Sequence, residues 1–579
     1  MTRPSAPPIM AWLQDAAARH QAGDLRGAER LYDKVLKANP NNPDALNLKG
    51  LVASDSGRHK HAITFFDLAA RSLPGFADPY FNKGLALAAL GRRAEALTAY
   101  AKAIEINPAY ADAHLNLGLT FHTMGRASEA IAAFRTMAEK CPMDARGFYN
   151  LGACLEKSLP TTSAGNRDAA ATASATAFER ALALNPGNPD IHYAYSNLHT
   201  FRGAYREAAA HLEIALRLRP HWPDAWNNLA NQAEALGDRQ GAVSLFDRAI
   251  ADDPANVGAI VNRGMTYLAL GSLSEGWEGY ARRFEDPRFP FVPRRWPWPK
   301  WQGDDLRGKS ILLWGDQGVG DELLYGSMIP EVAARAATCV VECDPRLAPL
   351  YRRSFPTLEI VSERGPAGGP SALGHRNFDY HCSVLDLGAI VRRNFAAFPN
   401  TAGVLRADQD HATRLRKDYL RDAPGNRVIG VSWRSINPSL THQKGLKLAD
   451  LAPVLTLPGV TFVNLQYGEV ADEIAAFEDT HRVKMVNDRR IDPLIDLDAF
   501  GAQVSACDAV VTISNTTAHF AGALDVPTAL YVPDGRKRHW YWFTEGNYSP
   551  WYRAIRLLRM PGDLGIEAIR HAFADVGTS

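Results

Sequence analysis

The sequence predicts an α-solenoid followed by an α/β region of two lobes, and three observations predict it. Prolines recur at Pro40, Pro74, Pro108 and Pro142, each 34 residues after the last, then at Pro186, Pro220 and Pro254 after one gap of 44. Between Glu285 and Gly308 the chain changes abruptly to EDPRFPFVPRRWPWPKWQGDDLRG, whose five prolines and three tryptophans exclude a helical repeat. Beyond it, apolar strand-like runs alternate with helical patterns, as parallel sheets with crossover helices require. The expected bounds are 1–288 for the repeats, 289–308 for a linker, and 309–425 and 426–579 for the two lobes.

Each period reads as a helix pair. In ADPYFNKGLALAALGRRAEALTAYAKAIEINP, small Gly84 lets two helices approach and Gly91 turns the chain. Ala96, Tyr100 and Ala103 form the inner stripe of the second helix, and Pro108 ends it. The pattern recurs seven times, and an eighth unit around Gly264, Gly271 and Tyr280 is degenerate, as a terminal cap is expected to be. The extra residues lie in SLPTTSAGNRDAAATASATA, whose polar first part predicts an inserted loop. Trp296, Trp298 and Trp301 are expected to wedge the repeats against the next domain. The first lobe follows with strands in ILLWGD, TCVVECD, LEIVSE and FDYHCSVLDL, and the second with VIGVSWR, TFVNLQYG, VKMVND, AVVTIS and TALYVP.

A length of 579 residues fits about three or four domains. A formal charge of +1 provides no global attraction to nucleic acid or an anionic membrane. Six cysteines without a CxxC pair read as small buried residues. The N-terminus has no apolar core of signal-peptide length and no run reaches 18 uncharged apolar residues, so a cytoplasmic protein is expected.

The 34-residue period with its recurring residue types resembles the tetratricopeptide repeat. Two residues before the Gly84-type position stands asparagine at Asn82, Asn116, Asn150, Asn228 and Asn262. An amide offers donor and acceptor, so a row of them can hold an extended peptide backbone. The array's resemblance to polypeptide O-GlcNAc transferases implies that use; the alternative is a residue common at that position of the repeat.

LWGDQGVGDELL, from Leu313, has the strand, glycine-rich turn and helix start of a phosphate loop, but it carries Asp316, Asp321 and Glu322 and no lysine. The stretch VVTISNTTAHFAGALDVPTALYVP is the better anion site. There Ser514, Asn515, Thr516, Thr517 and His519 gather at one helix start. It resembles the strand-loop-helix of ADP-heptose heptosyltransferases, with their T-x-x-H-x-A-G-A run. GDQGVGDELLYGSMIP and GVSWRSINPSLTHQKGLKL resemble the first turns of that family's two lobes. SPWYRAIRLLRMPG resembles a closing segment of bacterial proteins that join tetratricopeptide repeats to such a domain. The resemblance implies a GT-B glycosyltransferase with two Rossmann-like lobes. It makes Asp321 the catalytic base and gives Gly318 and Gly320 to the acceptor. One departure is Asn515, where the family usually has aspartate, so heptose is not carried over.

Arg434, Lys444 and Lys447 follow the first strand of the second lobe and can face a departing phosphate or simply solvent. DGRKRHWYW, at 534–542, has the same two readings, and Gln466 joins the donor set. Asp492, Asp496 and Asp498 contain an Asp-x-Asp, read as a helix cap rather than a metal site, so no metal or other cofactor is expected. The expectation is an inverting, metal-independent protein O-glycosyltransferase whose repeats bind the acceptor. By resemblance, flagellin is a reasonable acceptor and a nonulosonic acid a plausible donor sugar. The competing readings are a tetratricopeptide scaffold with inactive lobes and a lipopolysaccharide glycosyltransferase.

Overall fold

The computed structural model describes residues 8–287, 289, 294–362, 373, 375–400, 402–435, 446–533 and 539–559. Its packing divides the chain into two units, Met1–Pro220 and His221–Ser579.

The first unit holds six helix pairs, from Ile9–Gln21 with Leu25–Ala38 to Pro189–Phe201 with Tyr205–Leu218. In the third pair, Ala77–Ala89 and Arg93–Ile106, a Cβ on Gly84 would lie 2.4 Å from the Tyr100 ring. Gly50 meets Phe66, Gly118 meets Phe134 and Gly152 meets Phe178 in the same way. In these four periods one residue without a side chain seats one buried ring. Gly91 between the helices has φ +74°, a conformation that L side chains rarely adopt. Gly84→Leu is expected to cost roughly 1–3 kcal/mol or more by overpacking, read as a lower Tm. Gly75→Leu, with nothing within 4 Å of its Cβ position, is the neutral control.

The insertion differs from expectation. Only a single 3-10 turn, Leu159–Thr161, separates the fifth pair, and its second helix lengthens to 21 residues, Ala164–Leu184. The alanine-rich DAAATASATA supplies the reason, because alanine is the best helix former.

The eighth pair also differs. Val257–Leu270 and Leu273–Tyr280 belong, with Pro223–Ala235 and Arg239–Asp252, to the second unit. Leu268, Leu273, Trp277 and Tyr280 are buried in the same hydrophobic core as Ile311, Leu313 and Leu385 of the first lobe. The unit expected as a terminal cap is packed into the core of the first lobe, so the boundary expected after 288 does not separate two cores.

The α/β region contains two parallel sheets. Strands β1 (Ser310–Trp314), β2 (Thr338–Glu342), β3 (Glu359–Val361) and β4 (Tyr380–Ser383) lie in the order β3-β2-β1-β4. Strands β5 (Arg427–Ser432), β6 (Val460–Asn464), β7 (Met485–Val486), β8 (Ala509–Ile513), β9 (Thr528–Val532) and β10 (Ile555–Arg559) lie in the order β10-β9-β8-β5-β6-β7. Every pairing is parallel. In β1, Ile311 and Leu313 face the main core, whereas Leu312 and Trp314 face a second cluster with Trp298 and Phe378. Period-two alternation with both faces apolar is what a covered parallel sheet demands. Trp296 stacks on Trp298 at 5.3 Å, so these two rings cover the outer face of the first sheet. Trp301 enters the main core that the eighth pair shares. Five of the six cysteines are buried, Cys141 being intermediate, and all six are free. Among the described residues no helix is long and apolar enough to cross a membrane.

Candidate active site

The turn after β1 leads into the helix Val319–Gly326, for which Gly318 is the N-cap. Asp321, three residues on, lies in the first turn of that helix, where an acid is favoured. Burial is the first cause that raises its pKa to about 6, and the nearby Asp316 charge is the second. Tyr280, Tyr325, Tyr541 and Tyr552 all feel its charge, and burial holds all four phenols above their ordinary range. A half-buried carboxyl among neutral hydroxyls, poised near 6, is suited to accept a proton at neutral pH.

The helix Thr516–Ala523 of the second lobe faces this turn. A Cβ on Gly320 would lie 3.2 Å from His519 Cδ2 and 3.7 Å from Thr516 Oγ1. The space over Gly320 is thus taken by the second lobe, which corrects its assignment to the acceptor. Gly318 has only the Asp321 carboxylate near, at 3.6 Å from its Cβ position.

His519 is buried, with Nδ1 3.2 Å from the Tyr552 hydroxyl and its ring stacked on Trp542. Burial lowers its pKa to about 3, so it is a neutral imidazole. Trp542 Nε1 donates to Ser514 Oγ at 2.8 Å, which assigns Ser514 to holding that ring. Asn515 is a structural junction: its Oδ1 accepts from Thr512 Oγ1 at 3.1 Å and the Ala518 N–H at 3.3 Å, and its Nδ2 donates to Ser432 Oγ at 2.7 Å. An aspartate could accept the first two bonds but could not donate the third, so the departure from the heptosyltransferase pattern fits this chain's own β5–β8 seam. Asn515→Ala is expected to cost about 1–2 kcal/mol from the lost cap and bonds, read by denaturant unfolding.

The anion site is only partly open. Tyr467 and Thr516 line one cavity together, and Asn515 Oδ1 takes the N–H of Ala518. Thr517 Oγ1 is buried without a partner. Gln466 does not face a ligand through its oxygen, which accepts from Ser432 Oγ and from the N–H groups of Trp433 and Arg434 at 2.8–3.1 Å. Arg434 is bound to Glu469 O at 2.7 Å and ion-paired with Glu473 at 3.2 Å, which offsets the charge expected to meet a phosphate. Lys444 and residues 534–538 of DGRKRHWYW lie outside the described residues. Lys447 N–H donates to Asp450 at a helix start. Asp496 caps the helix Leu497–Ser505 through the N–H groups of Asp498 and Ala499, and Asp498 pairs with Arg353 at 2.7 Å. Among the described residues no group of three or more His, Cys, Asp or Glu is arranged to hold a metal.

Two adjoining cavities open at the carboxyl ends of the second sheet. One, of about 140 Å³, is lined from both lobes by Val319, Arg346, Tyr467, Leu494 and Thr516. The other, of about 440 Å³, is lined by Asn464, Tyr467, Asn487, Asp488, Asp492 and Gln503 among others. Arg346 and Tyr467 escaped the sequence reading because each follows its strand as an ordinary loop residue.

The asparagines do not form one common arrangement. Asn82 Nδ2 donates to Asn47 Oδ1 and Asn262 Nδ2 to Asn227 Oδ1, both at 3.0 Å, whereas Asn116 and Asn150 turn back onto Asp112 O and Arg146 O of their own helices. Asn228 Oδ1 lies 3.4 Å from Asn227 Nδ2.

Comparison with known proteins adds the following. Protein FlbA of Caulobacter vibrioides is 30% identical over 398 residues, spanning 66% of this chain, and this chain spans 66% of that relative's length. Among solved structures, MamA is 29% identical over 31% of this chain and 92% of its own, with a TM-score of 0.26. YrrB, described as a TPR protein with an unusual peptide-binding site, is 22% identical over 34% of this chain and 95% of its own, with a TM-score of 0.29. The family model described as "TPR repeat" matches residues 84–125, and those described as "Tetratricopeptide repeat" match 16–75, 162–232 and 227–288. With eight helix pairs at the positions the period demands, the first half of the chain is a tetratricopeptide-repeat region.

Proposed function

We propose that the chain is an inverting, metal-independent GT-B glycosyltransferase that moves a sugar from a nucleotide donor to a Ser or Thr hydroxyl of a protein bound by its repeats. The observation that carries this reading is the apposition of Gly320 and His519, which sets Asp321 of one lobe beside the Thr516–His519 helix start of the other. Asp321 takes the acceptor proton, the hydroxyl oxygen bonds to the anomeric carbon, and the sugar–phosphate bond breaks toward the second lobe. Neutral His519 and the Thr516 and Thr517 groups stabilise the leaving phosphate by hydrogen bonds rather than by charge. The nucleoside lies in the larger cavity, whose amides and carboxylates offer partners to a base and a ribose. Flagellin is the acceptor proposed, on the resemblance of the sequence to bacterial protein glycosyltransferases.

The whole reading is tested by intact-mass analysis of flagellin from cells with and without this chain. A mass difference of a sugar supports it. An identical mass together with no nucleotide binding returns the chain to a scaffold.

A further inference from the structure

In the repeats, a ring recurs at Tyr32, Phe66, Tyr100 and Phe134, each buried within its own helix pair. In the eighth pair the same position is Tyr280, but there the backbones of Gly264 and Gly279 approach so closely that no room for a ring remains between them. The Tyr280 hydroxyl instead accepts from Gln317 Nε2 at 3.1 Å, in the turn that precedes Asp321. Three residues on, Arg283 is 1% exposed and holds two carboxylates, Asp316 Oδ2 at 2.9 Å and Asp386 Oδ1 at 2.7 Å. Lys300 completes the group on Asp386 Oδ2 at 2.6 Å. Two cations thus meet two carboxylates, and Asp316 and Gln317, neighbours in the four-residue turn 315–318, are both held by the end of the repeats.

We infer that Arg283 is a positioning residue for Asp321: by clamping Asp316 and Asp386 it fixes the turn 315–318, whose Gly318 lies against the Asp321 carboxylate, and it compensates the like charge of Asp316. The catalytic meaning of this clamp rests on the reading of Asp321 as base; the clamp itself does not. Removing the buried arginine leaves Asp316 uncompensated, Asp386 keeping Lys300, and that negative charge opposes ionisation of another carboxyl nearby. The other groups that face Asp321 are the hydroxyls of Tyr280, Tyr325, Tyr541 and Tyr552, with neutral His519 one helix away. None of these changes charge near neutrality, so the titration of Asp321 reports the Arg283–Asp316–Asp386 group.

The test is the titration of Asp321 in the full chain labelled with carboxyl-13C aspartate, assigned by its loss in Asp321→Asn. Asp316→Asn, which keeps the shape and removes the charge, is expected to lower the midpoint by about one pH unit. Arg283→Met is expected to raise it by a similar amount, with Arg283→Lys returning it toward the wild-type value. Should Arg283→Met fail to fold, Asp316→Asn and Arg283→Lys still decide the matter. A midpoint unmoved in Asp316→Asn overturns the inference. Movement as expected in a chain that transfers no sugar supports the clamp and overturns only the transferase reading.

Discussion

Asp321→Asn is expected to reduce sugar transfer by about 10²–10⁴-fold, the usual worth of a positioned general base. The same substitution is expected to make the folded chain more stable above pH 6. Burial and the Asp316 charge raise the folded pKa of Asp321 from 3.8 to about 6. The folded state therefore binds the proton more tightly than the unfolded state does. The stability this provides is fully present below about pH 4 and is lost as pH rises to about 6. At pH 8 the ionised carboxylate costs on the order of 2–3 kcal/mol, reduced by the solvent that reaches the half-buried group. Asparagine cannot ionise, so its Tm should exceed wild type at pH 8 and match it near pH 4, as scanning calorimetry would show. Activity lost along with stability at both pH values would mean that the residue only builds the turn. In the wild type, transfer should fall on acidification with a midpoint near 6.

Trp277→Ala is expected to destabilise the second unit by about 3–5 kcal/mol. The ring is 3% exposed, its Nε1 donates to Arg392 O at 3.1 Å, and a Cβ on Gly388 would lie 2.2 Å from it. Trp540 meets it edge-on at 5.1 Å. Thermal unfolding should show the transition of 221–579 moving down while that of 1–220 stays in place. A fragment beginning at residue 221 should fold, and one beginning at 289 should not, because the latter loses Leu268, Leu273, Trp277 and Tyr280 from its core. Equal stability of the two fragments would refute this account of the boundary.

Most of the fold is legible in the sequence because its signals are local. The repeats announce themselves by period, and nine of the ten strands by apolar runs between turn residues. The tenth, Ile555–Arg559, lacks that signal because Arg556 and Arg559 interrupt its apolar run. What escapes is made by partners far apart in the chain. Trp277 meets Arg392 across 115 residues and Arg283 meets Asp386 across 103, so neither contact leaves a local pattern. The candidate site divides the same way. Helix starts at Val319 and Thr516 follow from composition, whereas the pairing of Arg434 with Glu473 and the bond from Trp542 to Ser514 are set by packing. Asn515 marks the boundary between the two: its exchange for the family's aspartate is visible in the sequence, but its reason, a donated bond to Ser432, is not.

The commitment of Tyr280 and Arg283 to the turn before Asp321 has a consequence for how such a chain can vary through evolution. The second to fifth periods seat their rings on their own glycines, so one can be duplicated or lost with that packing kept inside the repeat. The last period has no such freedom. It is inherited with the lobes, and change in the number of repeats falls to the periods before it.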